Sequence, residues 1–170
     1  PITQIQEFPL MVNYEFILAG NNNNIDIDMV SKLDNEELLN VVKAKVESYH
    51  TEGDANTKSS FLDNITFYAK EIGFENTVDL LLPLFKKIVK ENDAVKIKFL
   101  QNVHKLCLFL NSCKGYSIIR DEILPIVSWF FTYKTNTKIV DLSCDAFISL
   151  VELIAEEDKG LHVLNTVICK

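Results

Sequence analysis

The four residues Leu82-Pro83-Leu84-Phe85 return 42 positions later as Leu124-Pro125-Ile126-Val127. Each copy is followed by a polar turn, Lys90-Glu91-Asn92-Asp93 and then Lys134-Thr135-Asn136-Thr137, and each turn by an amphipathic segment opening at Val95 or Ile139. The openings are 44 apart, so the second turn has gained two residues. A period in the forties made of paired helices constrains the fold severely, because each hairpin can bury its apolar face only against its neighbours. The expected fold class is all-α, an α-α superhelix of antiparallel hairpins.

Hydrophobic spacing places the elements. Leu38, Val41, Val42, Lys45, Val46 and Tyr49 share one side of a helix, and a second helix from Thr57 carries Phe61, Ile65, Tyr68, Ala69 and Ile72 and stops at Gly73. This hairpin, about 34–73, is less regular than the next two, about 76–112 and 117–157, as a terminal unit would be. Asn76 with Asp79 reads as a capping pair for the helix of Val78, Leu81, Leu82, Phe85, Ile88 and Val89. Asn92 or Asp93 caps the helix of Phe99, Leu100, Val103, Leu106, Cys107 and Leu110. The third hairpin is expected to bury Ile119, Ile123, Leu124, Val127, Phe130 and Phe131, then Val140, Cys144, Phe147, Val151 and Ile154. Pro83 and Pro125 fall inside helices, where a proline removes a backbone bond and bends the axis.

Residues 1–28 form a separate segment with a short apolar patch, Leu10 to Leu18, and the run Asn21 to Asn24, which cannot build a core and reads as poorly ordered. The helical repeats take up 29–170. There is no initiator methionine, and 161–170 reads as the start of a further helix, so a fragment of a longer chain is expected.

Charge excludes some functions. The net charge is −7, and Arg120 is the one arginine among 17 basic residues, a poor provision for binding phosphate backbones. No nucleic-acid partner is expected, and with no run of about 20 apolar residues, no membrane span either. Cys107, Cys113, Cys144 and Cys169 lack regular close spacing, and three lie in apolar helices, which suits reduced thiols in an intracellular protein. The expected compartment is the cytoplasm, with the nucleus as a second location.

Catalytic signatures are missing. His104 and Cys107 are three apart, but Cys107 belongs to the apolar stripe and no fourth ligand is spaced to help. The chain has no Gly-x-Ser-x-Gly elbow or glycine-rich phosphate loop, and its Glu156-Glu157-Asp158 run lacks the spacing of a calcium loop. Neither enzyme activity nor a metal or cofactor is expected. Lys86, Lys87, Lys90, Lys96 and Lys98 cluster near the second hairpin's turn, as a solvated face or a patch for an acidic partner. Trp129 lies off the stripe of Ile123, Val127 and Phe130, either packed against the next repeat or exposed as an interface anchor. The two buried sides of a solenoid helix favour packing.

From Asn76 to Leu164 the two copies resemble HEAT repeats of protein phosphatase regulatory subunits. The resemblance is carried by Leu82-Pro83-Leu84-Phe85, Asp93-Ala94-Val95-Lys96 and Val103-His104-Lys105-Leu106, with echoes at Ile123-Leu124-Pro125-Ile126-Val127, Asn136, Ile139 and Ala146-Phe147-Ile148-Ser149-Leu150. It implies a non-catalytic regulatory or scaffold subunit that binds a serine/threonine phosphatase catalytic subunit of the type 2A/4 class. In that superfamily the turns along one ridge grip the catalytic subunit. The matching positions are Glu91, Asn92, Asp93, Tyr133, Lys134 and Asn136, with Lys96 as the basic residue after the valine; the third hairpin has Val140 there instead. The competing reading is a HEAT adaptor in nuclear transport or chromosome organisation. An importin-like array would carry ladders of asparagine and tryptophan, and Trp129 stands alone.

Overall fold

A computed structural model describes residues 34–51 and 53–165. The segment 1–28 and its asparagine run lie outside the described residues, as do 166–170. Among the described residues the secondary structure is helical, with no strand.

Helix α1 spans Asn35–Thr51, and its first turn is closed by a reciprocal cap. Asp34 accepts the amides of Glu36 and Glu37 at 3.0 and 2.9 Å, and Glu37 accepts the Asp34 amide at 3.2 Å. The return limb, expected as one helix, is two: α2, Ala55–Asp63, and α3, Ile65–Asn76. The break falls at Asn64, whose side-chain amide bonds the Ser60 carbonyl at 3.0 Å, a local bond that competes with the helical ladder. Gly73, at φ 80 and ψ 173, interrupts the helical path inside α3, a backbone shape that favours glycine. The chain re-enters a helix directly afterwards. Asn76 is therefore not an N-cap: it has helical φ/ψ, and its amide donates to the Ile72 carbonyl at 2.9 Å. The buried Thr77 hydroxyl spans the interruption, 2.8 Å from the Gly73 carbonyl and 3.1 Å from that of Ala69.

From here the sequence repeat becomes a repeat of conformation. A π-helical turn, Thr77–Leu81, leads into α4, Leu82–Phe85, then a 3₁₀ turn, Ile88–Lys90, and a long helix α5, Asp93–Ser112. After the short α6, Tyr116–Ile118, the order returns: π turn Ile119–Ile123, α7 Leu124–Trp129, 3₁₀ turn Phe130–Thr132, and α8 Thr137–Val151. The prolines explain the π turns. A proline ring crowds the carbonyl four residues back, here Asp79 and Asp121, and a widened turn at that point relieves the clash. Asn92 and Asn136 then cap the long helices, accepting amides from Val95 at 3.0 Å and Lys138 at 3.1 Å.

Helix α5 lies between the α2–α3 limb and α8. The expected stripes of α2–α3 and α5 are buried throughout, and Leu62, Leu84 and Val95 join them. Each large side chain taken fully from water contributes about 1.5–3 kcal/mol before entropy is counted. Phe147 and, just past α8, Ile154 are buried as expected, but the rest of the α8 face is turned by one residue. Ile139, Ser143, Ala146, Phe147 and Leu150 are buried, whereas Cys144 is exposed and Val140 and Val151 are half-buried. Small side chains at 143 and 146 let α8 approach α5 closely, and Phe131, half-buried, meets Phe147 edge-on at 4.9 Å. Gly115 marks the passage between hairpins, where a Cβ would stand 2.6 Å from the Phe74 ring and 2.8 Å from the Leu110 carbonyl oxygen. The last helical stretch begins at Glu156, earlier than expected, with α9 Glu156–Asp158 and a π turn Lys159–Leu164.

Candidate partner-binding ridge

The turns inside the three hairpins are tied to one another by side chains far apart in sequence. Lys58, near the start of α2, places its ammonium 2.9 Å from both carboxylate oxygens of Glu91 in the second turn and 5.1 Å from the centre of the Tyr49 ring. The second turn is joined to the third through Asp93. One carboxylate oxygen accepts the Tyr133 hydroxyl at 2.6 Å, and the other accepts the Asn136 amide at 2.9 Å. These two bonds, the first above all, hold the Asp93 carboxyl below the usual carboxylate range.

Lys96, placed by the sequence among exposed partner-binding residues, is 5% exposed. Its ammonium donates to the Tyr133 hydroxyl at 2.8 Å, sits 4.5 Å from the centre of that ring and lies 3.9 Å from Asp93. The Tyr133 hydroxyl thus donates to the carboxylate and accepts from the ammonium, so each polar group has a charge-assisted bond. Glu91, Asp93, Lys96, Tyr133 and Asn136 are therefore brought together, and their polar atoms join one hairpin to the next. Asn92 is exposed, but its side-chain oxygen is occupied in capping α5.

What remains outward on this ridge is Trp129 and lysine. Trp129 is 43% exposed, against the packed position expected of it; its ring meets Phe130 edge-on at 5.2 Å and lies 6.2 Å from Tyr133. Lys134 is exposed, as are Lys87 and Lys90. The rest of the basic cluster is paired, Lys86 with Glu122 at 2.9 Å and Lys98 with Asp63 at 2.8 Å.

A second polar group, unmarked by any motif, lies at the passage into the last helical stretch. The Tyr116 hydroxyl donates to Asp158 at 2.7 Å and accepts the Ala155 amide at 3.0 Å, while Arg120 contacts Asp158 at 3.1 Å and Asp121 at 2.7 Å. The Tyr116 bond first, then Arg120, holds the Asp158 carboxyl below its ordinary range. Tyr116 opens α6 and Asp158 closes α9, 42 residues later, so the bond joins the starts of successive units, a relation that becomes a signal only once the period is known.

Among the described residues no three His, Cys, Asp or Glu side chains gather as a metal site would require. Burial pushes the Cys107 thiol well above its ordinary value, which disfavours the thiolate needed for nucleophilic attack. Among the described residues no helix is long and apolar enough to cross a membrane. No protein-family model matches the chain, and no curated protein or solved structure matches it significantly.

Proposed function

We propose that the chain is a HEAT-like solenoid acting as a non-catalytic regulatory or scaffold unit that binds a serine/threonine phosphatase catalytic subunit of the type 2A/4 class. The observation that carries this reading is the recurrence, in the second and third hairpins, of π turn, proline helix, 3₁₀ turn and asparagine-capped helix, with neighbouring turns cross-linked along one edge. Units stacked in this way make a long surface on which a partner is held by many modest contacts, and the phosphatase itself comes from the family resemblance of the sequence. The outward residues of the ridge, Trp129, Lys134 and Asn92, are then the contacts, while Asp93, Lys96 and Tyr133 fix the curvature of the ridge. The test is capture of purified type 2A and type 4 catalytic subunits by the immobilised chain. Near-equal recovery of one of them is expected. No capture of either would overturn the phosphatase reading.

A further inference from the structure

The ridge of the second and third turns is cationic on a chain whose net charge is −7. The reason is how its charges are used. Both carboxylate oxygens of Glu91 are taken by Lys58, and both of Asp93 by Tyr133 and Asn136. Glu122 is paired with Lys86. The acids of this edge are therefore turned into the joints, whereas Lys87, Lys90 and Lys134 are exposed and make no ion pair among the described residues. On the same edge, in the segment leading into the third turn, Trp129 is 43% exposed, its indole braced by Phe130 and Tyr133. Tyr133 connects the two turns, because its hydroxyl reaches Asp93, three residues past Lys90, while Lys134 is its next neighbour.

A braced aromatic ring on an edge that also carries unpaired ammonium groups suits an extended acidic peptide with one apolar side chain: the apolar group covers the indole while the carboxylates reach the lysines. We propose that this edge is a docking site for a short acidic linear segment of a partner protein, with Trp129 as the apolar anchor and Lys87, Lys90 and Lys134 as its charge contacts. The site does not depend on the phosphatase reading, since a substrate or a second regulator could carry such a segment.

Trp129 is the single tryptophan of the chain, so its fluorescence reports on the site directly. The probe is a synthetic nonapeptide of aspartate and glutamate around one central leucine, titrated into the protein while Trp129 emission is followed at two salt concentrations. A saturable blue shift is expected, weakening as salt rises because exposed charges are screened. The triple variant Lys87→Glu, Lys90→Glu, Lys134→Glu should bind at least about tenfold more weakly, as three attractive contacts become repulsive, with unchanged helicity by circular dichroism. The proposal is overturned if there is no saturable change, if the basic analogue of the peptide responds equally, or if the triple variant binds as the wild type does. A stronger response to inorganic polyphosphate than to the peptide would also overturn it, marking a general anion surface instead. The first reading is judged on phosphatase capture by the wild-type chain, and this one on the peptide alone.

Discussion

Between the first and second hairpins the polar contact along the ridge is one ion pair, Lys58 with Glu91, lying over an aromatic stack in which Tyr49 and Tyr68 are buried. Among the described residues the hydroxyls of both tyrosines have no hydrogen-bond partner, and burial pushes both well above the ordinary tyrosine range. Between the second and third hairpins the apolar contact is similar, but the polar atoms of Asp93, Lys96, Tyr133 and Asn136 satisfy one another. A buried hydroxyl without a partner costs about 1–3 kcal/mol, whereas a bond to a charged group contributes about the same in the other direction. Tyrosine is thus used in two senses: as a bulky ring at the first joint, whose stability is apolar, and as a polar connector at the second.

The widest perturbation is in the core of the second hairpin, which belongs to both joints. Phe85 is buried and its ring lies 5.4 Å from Phe99, so Phe85→Ala should cost about 3–5 kcal/mol and loosen both joints in one cooperative urea transition. Two separated transitions would show that the joints are independent. Next comes Tyr133→Phe, which leaves the Asp93 carboxylate and the Lys96 ammonium each short of a bond. A loss of about 1–2 kcal/mol is expected, the lower part of the charged-bond range because the network is only partly buried. An unchanged urea midpoint would mean that the network does not hold the second joint in solution.

Acid should reproduce a smaller form of the same loss. Because the folded Asp93 carboxyl is held below its unfolded value, its contribution is present above the ordinary carboxylate range and disappears as pH falls through the lowered value. Asp93→Asn should accordingly be less stable than the wild type at pH 7, with the gap closing in acid. A gap that persists at the acid end would assign the effect to shape, not charge. The smallest effect is at the first joint: Tyr68→Phe should leave stability unchanged or raise it by up to about 1 kcal/mol, since the hydroxyl removed has no partner. A loss larger than that would show the hydroxyl to be bonded after all and would remove the contrast between the joints.

The stripes of α2–α3 and α5, the glycine stop at Gly73 and the cap at Asn92 were legible in the sequence, because each rests on spacing or on a residue's own backbone preference. The buried face of α8 was legible only at Phe147. Ranking residues by apolarity favours Cys144 over Ser143, whereas close helix approach selects for size and puts the serine inside. Asn76 misled for a related reason: a capping type in a capping position is irrelevant where Gly73 returns the chain to helix without a fresh start. The ridge was legible as a set of positions but not as a set of contacts. Nothing in the composition of a turn says that Lys96 will be drawn inward by a tyrosine 37 residues away, or that Asp93 will find Asn136 at a separation of 43. That information sits in the relation between repeats.

The π turns before Pro83 and Pro125 give the hairpins slack. A π turn holds one residue more than the α turn it replaces, so a single deletion there could tighten it to α, and an insertion could be taken up, without displacing the capped helix that follows. Drift in length can therefore be absorbed inside a hairpin before it reaches the ridge, where Asp93, Tyr133 and Asn136 must keep their distances. Repeats of this kind can diverge in spacing and composition while their joints stay aligned.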